Sequence, residues 1–155
     1  MYCLTEEFNN LILSKSTHFL KWGKALAGLF LEGEPNPALR GQKCEGCGRV
    51  AFPPNPYGCE KCGAPAAMLV DRPLVGRGRI VAFVTTTHAN RRDLSVPYTM
   101  ASIALDDGPV IRAIMADSTG ESLAAGDAVE TVLVERAAEE ESTDRVLRFQ
   151  KREAA

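Results

Sequence analysis

Four cysteines, Cys44, Cys47, Cys59 and Cys62, form two Cys-x-x-Cys pairs with eleven residues between them. Each pair can set two thiolates on one side of a tight loop. Two such loops facing each other offer four sulfurs at tetrahedral corners, the arrangement Zn²⁺ prefers. Gly46 and Gly48 flank Cys47 and Gly63 follows Cys62, so the loops are expected to turn through positive φ and aim backbone amides at sulfur. Lys43, Arg49 and Lys61 stand beside the ligands and can offset the charge of the thiolates. Three other uses of the cysteines compete. Two disulfides would need an oxidising compartment, yet the residues from Met1 to Glu7 do not read as a secretory leader. A thioredoxin-like redox pair would leave the second pair idle. A four-thiolate iron site takes the same ligands as zinc, so spacing leaves the two metals open; the absence of any other sign of electron transfer favours zinc. Cys3 stands apart as an incidental thiol.

The elements that must position this cluster can be read around it. Residues 5 to about 31 are expected to be helical, in two segments that break near Ser14 to Ser16. In the second segment Phe19, Trp22, Leu26, Leu29 and Phe30 fall at a spacing of three and four, which places them on one face. That face either packs internally or docks on a partner subunit. Gly33 to Pro37 contains two prolines and reads as a linker. The cysteine module follows, with a short strand expected over Val50 to Phe52. It is too small for a core of its own, so the metal must supply much of its folding energy.

After residue 66 the pattern becomes alternation. Strands are expected over Met68 to Val75, Gly78 to Thr87, Tyr98 to Leu105, Pro109 to Met115, Ala128 to Arg136 and Thr143 to Lys151. Asp106, Asp107 and Gly108 signal a hairpin turn. Asp117 to Leu123 predicts a brief capped helical turn. The fold class is therefore mainly β: N-terminal helices over 1–36 with the linker, a four-cysteine ribbon over 37–66, and a small Greek-key barrel of the OB type over 67–155.

A chain of 155 residues with net charge −2 is one ordinary domain, or one with an appendage. No dense run of Lys or Arg appears, which counts against a general nucleic-acid binder, whose affinity is mostly phosphate neutralisation. No apolar stretch is long enough to span a membrane. The chain reads as soluble and cytoplasmic.

The stretch from Leu39 through Cys44, Cys47, Phe52, Pro53 and Pro54 to Cys59, Cys62 and Gly63 resembles a family that pairs a rubredoxin-like zinc ribbon with an OB-fold. Gly76 to Phe83, Val96 to Leu105 and Gly126 to Val129 resemble its barrel segments. Members of that family accompany thiolases, hydroxymethylglutaryl-CoA synthases and thiolase-like aldolases. The resemblance implies a structural zinc ion and a non-catalytic subunit that joins a thiolase-like partner, as a two-plus-two heterotetramer, and helps hold an acyl-CoA. It supplies no signature for the coenzyme A contacts. From the residues themselves, a CoA strip needs cations beside a small apolar groove. Arg91, Arg92 and Tyr98 are the candidates, with Arg77 and Arg79 from the preceding strand; their plain alternative is solvated surface charge. The two histidines, His18 and His88, suggest no catalytic constellation. Two rival readings are a single-stranded nucleic-acid module, which should show aromatic platforms in a basic groove, and a free-standing acyl-CoA carrier.

Overall fold

The computed structural model describes residues 28–31, 33, 36–88, 95–137 and 143–152. The expected N-terminal helices lie almost wholly outside these residues. Where the description begins, Phe30–Leu31 is a short strand, β1, rather than the end of a helix. It pairs antiparallel with Leu39 and Ala38 at the start of β2, Ala38–Cys44. The helical spacing of Leu29 and Phe30 is overridden there by a tertiary partner, since a free strand edge offers the backbone a ladder.

β2 is the spine of the ribbon sheet. One edge carries β1 and then β3, Val50–Ala51; the other carries β4, Leu69–Leu74, over six residue pairs from Leu39↔Leu74 to Cys44↔Leu69. A single 3-10 turn at Ala66–Met68 leads into β4. The strand expected over 68–75 thus exists, but it pairs with the ribbon and not with the barrel. Gly41 explains how β2 and β4 can lie so close to the core. A methyl group there would meet Leu74 Cδ1 at 2.8 Å and the Ala51 carbonyl oxygen at 3.1 Å.

The second sheet is built from β5 (Arg77–Thr86), β6 (Tyr98–Leu105), β7 (Val110–Ile114), β8 (Ala128–Ala137) and β9 (Thr143–Lys151), in the order β7-β6-β5-β8-β9. All neighbours are antiparallel. A parallel bridge between Met115 and Phe149 then brings β7 round to β9 and curls the sheet on itself. An antiparallel meander of three strands, a fourth returning beside the first, and a fifth meeting the third in parallel is the OB topology. β6 shows why the pattern works: buried and half-buried residues alternate along its whole length, as a strand with one face on a core requires. β5 departs from that pattern. Its register shifts between Ile80 and Ala82, and Val81 in this bulge and Phe83 and Val84 after it are all exposed, so the burial of Ile80 is not continued along the strand.

The expected helical turn at Asp117 to Leu123 is instead a loop organised by one carboxylate. Asp117 accepts hydrogen bonds from the Thr119 and Gly120 amides, the Thr119 hydroxyl and the Ser122 hydroxyl. A side chain that captures local donors competes with helix formation.

Leu39 and Leu74 of the ribbon sheet belong to the same buried cluster as Ile80, Ile103, Val129 and Phe149 of the barrel. Polar bonds cross the same junction. The buried Thr131 hydroxyl donates to the Pro37 carbonyl at 2.6 Å, Asn36 donates to Glu130, and the Val75 amide donates to Asp107 in the β6–β7 turn.

Candidate metal centre

The two cysteine knuckles are built alike. The Gly48 amide donates to the Cys44 carbonyl and the Cys44 amide to the Arg49 carbonyl; the Gly63 amide donates to the Cys59 carbonyl and the Cys59 amide to the Ala64 carbonyl. Each loop closes through a glycine in the left-handed region, Gly48 at φ 72° and Gly63 at φ 70°, where a side chain would be strained. Gly46 is not such a position; it is exposed and follows the first ligand without positive φ. β2 delivers Cys44 at its end, and the salt bridge from Arg49 to Glu60 at 3.0 Å ties one knuckle to the other.

The four sulfurs lie within 4.8 Å of one another. Cys44 and Cys62 are 3.7 Å apart, Cys47 and Cys59 3.6 Å. A tetrahedron with Zn–S bonds of about 2.3 Å has edges of about 3.8 Å, so the thiols present fit the ion. The local electrostatics point the same way. Cys59 is drawn down to about 6, chiefly by the Cys62 and Lys61 amides that point at its sulfur. Cys62 is pushed up to about 12: the Ala64 amide works to lower it but is outweighed by the sulfur of Cys47, by burial and by the sulfurs of Cys44 and Cys59. One site that lowers one thiol and raises its neighbour is a site whose thiolates repel each other without a cation. When bound, zinc would be held by all four cysteines and would serve to clamp the two knuckles; a closed four-sulfur shell leaves no open position for a substrate.

Among the described residues, the expected coenzyme A contacts fall at two ends of one strand. Arg91 and Arg92 lie outside the described residues. Tyr98 is half-buried opposite Thr86, whereas Arg77 and Arg79 sit at the other end of β5. Seven residues of strand separate Arg79 from Thr86, about 23 Å. His88 is exposed, its Nδ1 3.0 Å from the Thr87 hydroxyl. Phe149, one of the barrel's few aromatics, is in the core rather than on a binding face. An open cavity of about 710 Å³ lies elsewhere, between the ribbon and the β6–β7 turn, with Phe52, Pro53, Pro54 and Val110 beside Arg49 and Lys61 in its lining. A second open cleft, lined by Arg79, Lys151 and Arg152, was not expected, because Lys151 and Arg152 close a strand in sequence and approach Arg79 only through the sheet.

A sulfur-lined metal ribbon fused to a small OB barrel defines the class: a zinc-ribbon/OB-fold module. Comparison with known proteins narrows it. Residues 31–67 match the model of the ChsH2 rubredoxin-like zinc ribbon domain, and residues 71–134 that of the ChsH2 C-terminal OB-fold domain. A DUF35 domain-containing scaffold protein of Methanothermobacter thermautotrophicus is 31% identical over 113 residues, 72% of this chain and 81% of that one. The solved Ltp2-ChsH2(DUF35) aldolase shares the fold at a TM-score of 0.56 and 23% identity, covering 74% of this chain and 84% of the other. The chain belongs to the ChsH2/DUF35 family of zinc-ribbon and OB-fold proteins. No described helix is long and apolar enough to cross a membrane.

Proposed function

We propose that this protein is a zinc-clamped, non-catalytic scaffold subunit of a thiolase-superfamily complex acting on an acyl-CoA. The observation that carries the reading is the pairing of both family modules, in the same order, across residues 31–67 and 71–134. A relative at 31% identity bears the name of scaffold protein, and the solved structure with the same fold is named as an aldolase of two components. The chemistry of C–C cleavage, thiolytic or retro-aldol, is assigned to the partner. A thiolytic step needs an activated cysteine and a general base, while four of this chain's five cysteines converge as metal ligands. The assembly is written as two copies of each chain, in the cytoplasm, where reduced thiols persist. Within it, residues 1–36 are the N-terminal extension and linker proposed to dock on the partner, 37–66 the ribbon, whose sheet β1 and β4 complete, and the remainder of 67–155 the OB barrel that carries the CoA contacts. Arg77, Arg79, Arg91, Arg92 and Tyr98 are the candidate contacts to the CoA ester. The order of ribbon and OB barrel is also similar to that expected of the small subunit of benzoylsuccinyl-CoA thiolase from anaerobic toluene degradation, which puts aromatic acyl-CoA esters in a substrate panel.

The test is reconstitution. The full chain alone should leave a β-ketoacyl-CoA untouched, and the complex with its partner should cleave it at a rate that falls when this chain is withdrawn. Turnover by the chain alone would overturn the reading, as would a partner whose activity and stability ignore its presence.

A further inference from the structure

Two neighbouring rows of side chains cross the outer face of the barrel at β5, β8 and β9. In the first, Arg77 pairs with Glu130, which pairs with Gln150. Glu130 is the counter-ion of that row, with its Oε2 3.7 Å from Arg77 Nε. In the next row Arg79 pairs with Ala128, and the Arg152 amide donates to the Ala128 carbonyl at 2.8 Å, continuing the β8–β9 register by one residue. Cross-strand partners share a face. Arg79 and Arg152 therefore stand on either side of a methyl group, two strand spacings or about 10 Å apart. Where the first row has a carboxylate, this one has alanine.

These residues line an open cleft of about 650 Å³ together with Ser122, Gly126, Asp127 and Lys151. The one carboxylate among its described residues is already used. Asp127 accepts from Lys151 Nζ at 2.8 Å and from the Ala124 amide, and the lysine holds its carboxyl below the ordinary range. The Lys151–Asp127 pair is thus neutral as a unit. Arg79 spends one donor, Nη1, on the Gly126 carbonyl at 3.0 Å. Among the described residues neither Arg79 nor Arg152 has an acidic partner. Two guanidiniums with free donors, facing a small floor at this separation, match one group with two negative charges and three acceptor oxygens.

We infer that the cleft between Arg79 and Arg152 is a binding site for a phosphomonoester. A phosphodiester carries one charge where the monoester dianion carries two, so the end of a phosphorylated small molecule fits better than the backbone of a nucleic acid. The 3′-phosphate of coenzyme A is one such group, and for that ligand the site rests on and deepens the CoA contact proposed above for Arg79; binding of a phosphomonoester by the chain alone does not require the partner.

The test is calorimetric titration of the full zinc-loaded chain with adenosine 3′,5′-bisphosphate, inorganic phosphate and a single-stranded oligonucleotide without terminal phosphate. The bisphosphate should bind, and more tightly at pH 8 than at pH 5, because the second phosphate proton leaves near 6. Arg79→Gln and Arg152→Gln should each weaken binding about tenfold or more, the loss of a charge-assisted hydrogen bond. Arg112→Gln, an exposed arginine on β7, should leave it unchanged. Ala128→Glu, which copies the neighbouring row, should abolish it. Asp127→Asn, which releases Lys151, should tighten it. Absence of bisphosphate binding to the wild-type chain would overturn the inference. So would equal effects of Arg112→Gln and Arg152→Gln, or an oligonucleotide that binds more tightly through the same two arginines. Failure of this titration leaves the reconstitution test above unaffected, and the reverse holds too.

Discussion

The ribbon and the barrel are held by different forces. In the ribbon the buried groups at the tip are sulfurs, Cys44 and Cys59, and what fixes the two knuckles is a metal-ligand set plus backbone bonds. In the barrel the buried groups are Ile80, Ile103, Ile111, Val129, Phe149 and their neighbours, and apolar burial at about 25 cal/mol per Å² does the work. The two meet at Leu39 and Leu74, which sit on the ribbon's strands but in the barrel's core. The ribbon is thus mounted on the barrel, with its base shared and its tip dependent on zinc. In the scaffold role proposed above, such a mount would hold the small module toward another chain.

The largest expected effect separates the two halves. Chelation of zinc, or Cys44→Ser, should unfold the knuckles between residues 44 and 66, since structural zinc contributes on the order of 10 kcal/mol. Amide spectra of β5 to β9 should persist, and loss of both halves together would show that the barrel is not independent of the metal. Next, Phe149→Ala, at the point where β9 meets Met115, should cost about 3–5 kcal/mol and lower the melting temperature while zinc content at low temperature stays near one per chain. Third, Thr131→Val removes the hydroxyl that bonds the Pro37 carbonyl at the junction. It should cost about 1–3 kcal/mol, because a buried carbonyl is left without its donor, and hydrogen exchange should rise on both sides of the junction at once.

The smallest effect lies wholly in the barrel. The Ser122 hydroxyl, followed by the Thr119 and Gly120 donors, draws the Asp117 carboxyl down to about 2 from an ordinary value of 3.8. A depressed carboxyl contributes stability above its unfolded value and loses it as pH falls through the folded one. That contribution should fade between about pH 4 and 2. A carbon-detected titration of Asp117 should report it, and Ser122→Ala should move the midpoint back toward 3.8.

What could be read from the sequence follows the same division. The metal ligands were legible because their signal is local: two residue types at a fixed spacing, with Gly48 and Gly63 closing each loop. β6 and the β8–β9 pair were legible because alternation over eight to ten residues leaves few other structures. Non-local pairings were not. Nothing in Met68 to Val75 says that its partner is β2, and the closing bridge between Met115 and Phe149 joins residues far apart in the chain. The bulge after Ile80 breaks the alternation by inserting a residue that no pattern announces. The row of Arg79, Ala128 and Arg152 is invisible for the same reason, since three elements must be assembled before the two arginines face each other.

The proposed function requires this chain to be assembled with a catalytic partner. The most direct measurement is affinity purification of the full chain from its own cells, with mass-spectrometric identification and stoichiometry of what accompanies it. A longer thiolase-superfamily chain should accompany it in equimolar amount, held in a complex that keeps one zinc per small subunit. A chain that emerges alone, or with nucleic acid in place of an enzyme, would contradict it.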